Sequence, residues 1–184
     1  MRGLFIPILS KNAYANVLEQ KFELNKASQS RQEEFESIVG RSNSFIYLYT
    51  HLCILNKTKP DLQVLKQLEN LVYYLQLADD LGDWRTDYMR GHWTPFIHNI
   101  HQSQSLKGNA SIAEIENIIF TKGIYEEELL KVIKGLSQIV LNLSNRSNEG
   151  KKIILNINKK IDLVKQQLIQ VTAAKLKYLD GQEL

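Results

Sequence analysis

Three prolines in 184 residues leave this chain little choice of architecture. Pro7, Pro60 and Pro95 lie far apart, only nine glycines accompany them, and the long stretches between repeat their apolar residues every three to four positions. That period belongs to helices, because successive residues advance about 100° around the axis. No pair of alternating strands joined by a hairpin turn is evident, and no internal repeat stands out. Helices are predicted over 11–25, 31–56, 61–90, 95–103, 111–120, 125–146 and 149–179. The fold class is all-α, an antiparallel helical bundle. The length suits one domain, 1–184, large enough to bury a core without disulfides or metals.

Local signals fix several of the boundaries. Pro60 and Asp61 open the third helix, since proline is preferred in a first helical turn. Ser111-Ile-Ala-Glu114 fits a capping box ahead of Ile115, Ile118 and Ile119. Gly91 ends the third helix and Pro95 starts the next, while 103–110 (SQSLKGNA) reads as loop. In the last helix Ile153, Ile157, Ile161, Val164, Leu168 and Val171 share one stripe, a packing face. Ile139–Leu143 in the preceding helix reads the same way.

One helix also carries chemistry. In Leu75–Phe96, LQLADDLGDWRTDYMRGHWTPF, Asp79, Asp80, Asp83 and Asp87 follow a largely apolar run. Asp80, Asp83 and Asp87 fall within an arc of roughly 60°, with Gln76 on the same arc. Leu68, Leu71, Leu75 and Ala78 take the opposite side, and Tyr73, Leu77 and Trp84 border the acidic stripe. Carboxylates between apolar flanks are expected to face a cavity. Three converging carboxylates are costly to ionise together unless a cation neutralises them. Mg²⁺ commonly takes one or two carboxylates together with substrate phosphate, so the stripe points to a Mg²⁺–diphosphate site.

Composition narrows the remaining classes. A net charge of +3 argues against nucleic acid without a clustered basic patch. The densest cluster, Lys151, Lys152, Lys159, Lys160 and Lys165, spreads along a helix as a solvated face would. Cys53, the single cysteine, excludes an internal disulfide, suits a reducing cytoplasm, and reads as a small core residue between Leu52 and Ile54. The apolar run near Met1 is interrupted by Pro7 and is too short to span a membrane. A carboxylate di-metal bundle would need Glu-x-x-His pairs, and neither His98 nor His101 has one. No G-x-S-x-G hydrolase motif occurs.

The run Gln76-x-x-Asp79-x-x-x-Asp83-x-x-x-Asp87-x-x-x-Gly91, with Trp93 and Pro95 beyond it, resembles the second aspartate motif of squalene and phytoene synthases. These are the head-to-head branch of the all-α trans-prenyltransferase and class I terpene synthase fold. Asp83 and Asp87 match the acidic pair, Gly91 matches the glycine, and Asp80 with Asp83 makes a local DDxxD. The sequence departs from the family in having His92 where the family has arginine, and a glycine-to-proline spacing one residue shorter. No DxxxD or DDxxD precedes Asp83, although the family carries a first acidic motif far upstream. The resemblance covers about 35–180, the second half of such an enzyme.

The resemblance implies Mg²⁺ (or Mn²⁺) held by Asp79, Asp80, Asp83 and Asp87, with Asp83 and Asp87 the catalytic pair. A prenyl diphosphate would ionise there, assisted by Gln76, Arg85, Arg90, His92 and Arg41 as hydrogen-bond donors to its oxygens. Tyr73, Leu77 and Trp84 would line an isoprenoid cavity. Glu33, Glu34 and Glu36, the only other clustered upstream acids, read as charge in a first helical turn. The expected function is prenyl diphosphate binding in isoprenoid biosynthesis, followed by prenyl transfer or cyclisation. The alternative is a non-catalytic helical subunit, or a degenerate synthase half that needs a partner. Expected partners are a prenyl diphosphate and no nucleic acid; peripheral membrane contact and homo- or hetero-oligomerisation stay open, and the expected location is cytoplasmic.

Overall fold

The computed structural model describes residues 10–18, 20, 30–103, 110–144 and 151–180. All regular structure among them is helical: α1 over 10–18, α2 Arg31–Arg41, α3 Ser44–Leu55, α4 Leu62–Arg90, α5 Pro95–Ser103, α6 Ile112–Lys122, α7 Ile124–Ser144 and α8 Lys151–Leu179. The predicted helix over 31–56 is two. Ser42 and Asn43 interrupt it: the Ser42 backbone N–H closes α2 on the Ile38 carbonyl while its hydroxyl turns to Gln76, and Asn43 stands at the start of α3. The predicted residues 21–25, 145–146 and 149–150, and most of the 103–110 loop, lie outside the described residues. Among the described residues no helix is long and apolar enough to cross a membrane.

The chain forms two compact units, Met1–Gln76 and Leu77–Leu184, whose boundary falls inside α4. In the first, Ala15, Leu18, Ile38, Val39, Ile46, Cys53 and Val72 are buried. A Cβ on Gly40 would come within 2.3 Å of the Ala15 Cβ, so α1 and α2 cross where only glycine fits. Asn12 Nδ2 seals this crossing by donating to the Gly40 carbonyl at 3.0 Å. Ser30 and Glu33 form a capping box at the start of α2.

In the second unit α7 and α8 pack antiparallel. Glu126 near the start of α7 meets Lys175 near the end of α8 at 3.0 Å. The Ser111–Glu114 capping box forms as expected, and hydrogen bonds from the Ser111 backbone and then its hydroxyl hold the Glu114 carboxyl below the usual range. Gly123 takes a left-handed conformation between α6 and α7. Ile115, Ile118 and Ile119 are buried, and of the predicted α8 stripe so are Ile157, Ile161 and Val164. Ile153 departs from the predicted stripe at 51% exposure; it lies in the first turn of α8, away from the middle of the α7–α8 contact.

Tyr125 is the second unit's main polar anchor. Its hydroxyl donates to the Leu81 carbonyl at 2.7 Å and accepts from Gln167 Nε2 at 2.6 Å, so one side chain of α7 links α4 to α8. Burial pushes its pKa up to about 12, against the Gln167 bond, which lowers it. The neutral phenol is favoured in the folded state, so its stabilising contribution is complete below pH 10 and is lost as pH rises from about 10 through 12. Tyr125→Phe leaves the Gln167 amide without this acceptor and is expected to cost about 1–2 kcal/mol at pH 7. Tyr49 and Tyr88 are also raised by burial, so the measurement is a difference. Chemical denaturation at pH 7 and at pH 11.5 should show a smaller gap between wild type and variant at the higher pH.

Candidate functional site

The acidic stripe of α4 runs from solvent into the core. On the helical wheel the order is Asp79, Asp83, Asp87, Asp80, in steps of roughly 20–40°. Exposure follows that order. Asp79 and Asp83 are exposed, Asp87 is half-buried, and Asp80 is buried beside Leu81, which is fully buried. The apolar border predicted for a cavity contributes packed side chains. Leu77 is buried, and the Trp84 ring stands edge-on to Phe96 at 6.5 Å. Tyr73, within the first unit, is buried with its hydroxyl donating to Glu34 Oε1 and its ring tilted against Phe35 at 5.2 Å.

The cations expected near a diphosphate are differently engaged. Arg85 pairs with Glu116 of α6 at 2.9 Å. Arg90, in the last turn of α4, is exposed. His92 brings Nδ1 to 3.8 Å from Asp87 Oδ1. This approach is set by the backbone: Gly91 adopts φ +76°, and the His92 N–H donates to the Asp87 carbonyl at 2.9 Å. A residue with a Cβ would be strained in that left-handed position. In the first unit, Gln76 accepts a hydrogen bond from Ser42 at 3.1 Å, and Arg41 is half-buried at the end of α2.

Residues beyond the aspartates have visible structural tasks. The Trp93 ring packs on His101 at 4.6 Å and on Tyr88 at 6.4 Å, tying the α4–α5 connection to both helices. Thr94 Oγ1 accepts from the Ile97 N–H at 3.4 Å, and Pro95 opens α5. His98 and His101 are both buried, and His98 faces Gln102 at 2.9 Å.

Two partners of this region were not visible in the sequence. Lys160 of α8 reaches Asp79 at 2.7 Å, although its basic neighbours suggested only a solvated face. Glu116 answers Arg85. Both contacts join distant segments, and no spacing rule within one helix announces them. Among the described residues no group of three or more His, Cys, Asp or Glu side chains is drawn together as a metal site would need, and none pairs with Asp83. No protein-family model, curated protein or solved structure matches this chain.

Proposed function

We propose that the solvent-facing end of the α4 stripe binds a prenyl diphosphate through Mg²⁺, in a helical protein resembling the second half of a squalene or phytoene synthase. The observation that carries this reading is that Asp83 and Asp87 stand one helical turn apart, both reachable from solvent, before the glycine-terminated turn that brings His92 to Asp87. Two carboxylates suit Mg²⁺, which completes its shell with water and phosphate oxygens. Bound there, the ion would stabilise the diphosphate as the prenyl C–O bond ionises. Asp83 and Asp87 would hold it, while Arg90 and a protonated His92 would donate to the remaining diphosphate oxygens. Asp79 could join only by giving up Lys160, and Arg85 only by leaving Glu116. Asp80 is buried, out of reach of a solvent-borne metal.

The test is calorimetric titration of farnesyl and geranylgeranyl diphosphate with and without Mg²⁺. Binding should require Mg²⁺ and weaken at least tenfold in the Asp83→Ala/Asp87→Ala variant. Both side chains retain solvent access, so the variant should keep wild-type helicity. Absence of binding by folded wild-type protein would sink the reading.

A second reading is a non-catalytic helical subunit. It is favoured by the engagement of Asp79 and Arg85 in ion pairs and by the apolar surface of α3, where Phe45, Leu48 and Leu55 are each more than half exposed.

A further inference from the structure

The first unit holds a cavity that takes no part in the Mg²⁺–diphosphate reading. Its volume is about 550 Å³, and its apolar walls are Val39 of α2, Ile46 of α3, Pro60, and Leu62 and Leu65 of α4. Every described residue that lines it belongs to the first unit. A close-packed fold leaves few voids larger than a water molecule, and this one falls within the roughly 300–1,000 Å³ range of ligand clefts.

Polar groups on the walls are few and mostly engaged. Asn43 and Thr50 are the uncharged polar side chains among the described lining residues, and the Thr50 hydroxyl donates to the Ile46 carbonyl at 2.8 Å. Lys11 pairs with Glu69 at 2.8 Å, so those two charges cancel. Lys59 remains, exposed at the edge and without a carboxylate partner among the described residues. The turn that carries it is held in place. The Thr58 N–H and hydroxyl both donate to the Cys53 carbonyl, at 2.9 and 3.2 Å, and the Asp61 N–H donates to the Tyr49 hydroxyl at 3.1 Å. The lysine stem therefore starts from a fixed point beside the apolar walls.

We propose that this cavity binds a fatty acid, with the aliphatic chain between α2, α3 and α4 and the carboxylate on Lys59. A sugar or a nucleotide would bring many donors and acceptors to walls that offer almost no partners, and each unmet group opposes binding. A hydrocarbon chain needs no such partners and gains from every methylene taken out of water. The charge of the lining selects the head group. Lys11 and Lys59 against Glu69 leave one net positive charge among the described lining residues, which matches a single carboxylate and repels an ammonium. A diphosphate carries several charges that one lysine does not match, so this site is distinct from the one proposed at Asp83 and Asp87.

Calorimetric titration of the full chain with dodecanoate, below its micelle concentration and without Mg²⁺, tests the assignment. We expect one saturable site per chain. The site should persist in the Asp83→Ala/Asp87→Ala variant, so its fate is independent of the diphosphate reading. Dodecylammonium, the same chain with a cationic head, should bind at least about tenfold more weakly, because attraction to Lys59 becomes repulsion. Lys59→Gln should weaken dodecanoate binding about fivefold, the size expected of one exposed ion pair, with helicity unchanged. Leu65→Trp extends a half-buried wall residue into the cavity and should abolish binding while circular dichroism shows the helices retained. Absence of saturable binding, many molecules bound per chain, or equal binding of dodecylammonium would overturn the proposal. So would undiminished binding by Lys59→Gln or by folded Leu65→Trp.

Discussion

Replacing Phe96 by alanine should cost the second unit about 3–5 kcal/mol, the largest loss expected from any single side chain considered. Phe96 is fully buried near the start of α5. Its ring meets Trp84 of α4 at 6.5 Å and Tyr125 of α7 at 5.4 Å, both close to perpendicular. Edge-to-face pairs of this kind add to the burial of apolar area, and alanine would leave a cavity in their place. The residue stands where three helices meet, so its loss also loosens Tyr125 from the Leu81 carbonyl. A thermal melt followed by circular dichroism should show the midpoint falling by roughly 10 °C or more. Phe96→Leu keeps most of the volume and should recover more than half of that loss. If alanine moved the midpoint by only a degree or two, the junction would not be closely packed.

In the first unit, Tyr73→Phe should destabilise by about 2–3 kcal/mol, although it removes one oxygen atom. Tyr73 is buried in α4 and its hydroxyl donates to Glu34 Oε1 of α2, which is itself 7% exposed. Phenylalanine fills the same space but takes a donor from a buried carboxylate, and the cost of an under-solvated charge exceeds the net worth of an ordinary hydrogen bond. Glu34→Gln should be milder, since the amide oxygen still accepts from Tyr73 and no charge is buried. In a double-mutant cycle the two substitutions should couple by at least ~1 kcal/mol, because the second removes the charge that made the first expensive. Urea denaturation of the four proteins measures this. Additive effects would mean that the hydroxyl and the carboxylate do not share a bond in solution.

Glu34 also marks where linear reading ends. An acid in the first turn of a predicted helix looks like solvated charge favoured by the dipole, and Glu33 fits that account through its capping box with Ser30. Glu34 is one position further round the helix, by about 100°, and that rotation carries it inward to Tyr73. Nothing between residues 30 and 40 says that a tyrosine 39 positions later will be there. The interruption at Ser42–Asn43 belongs to the same class. Helix-ending residues were present, but the apolar period ran through them, and only the packed chain shows the period broken.

The acidic stripe was legible as a pattern and only partly as a place. Spacing put the aspartates on one side of α4, and the helix has the predicted extent to within one residue at its start. Which of them meets water is decided by the neighbours. Asp80 and Asp79 are adjacent in sequence, yet one is buried and the other pairs with Lys160 at 2.7 Å. Periodicity ranks residues around a helix but does not say where the core begins, because that depends on which helices pack beside it.

Local chemistry was therefore settled by the chain itself. Sparse proline, 3.6-residue periodicity, the Ser111–Glu114 box, Gly91 and Pro95 act over a few residues, through steric limits and hydrogen bonds that any neighbours would leave intact. Tertiary structure alone joined Tyr125 to Leu81 and Gln167, Lys160 to Asp79, and Tyr73 to Glu34, and left one apolar face of α3 in solvent. These contacts span 39 to 81 positions, and their free energy depends on burial that exists only once distant helices have packed.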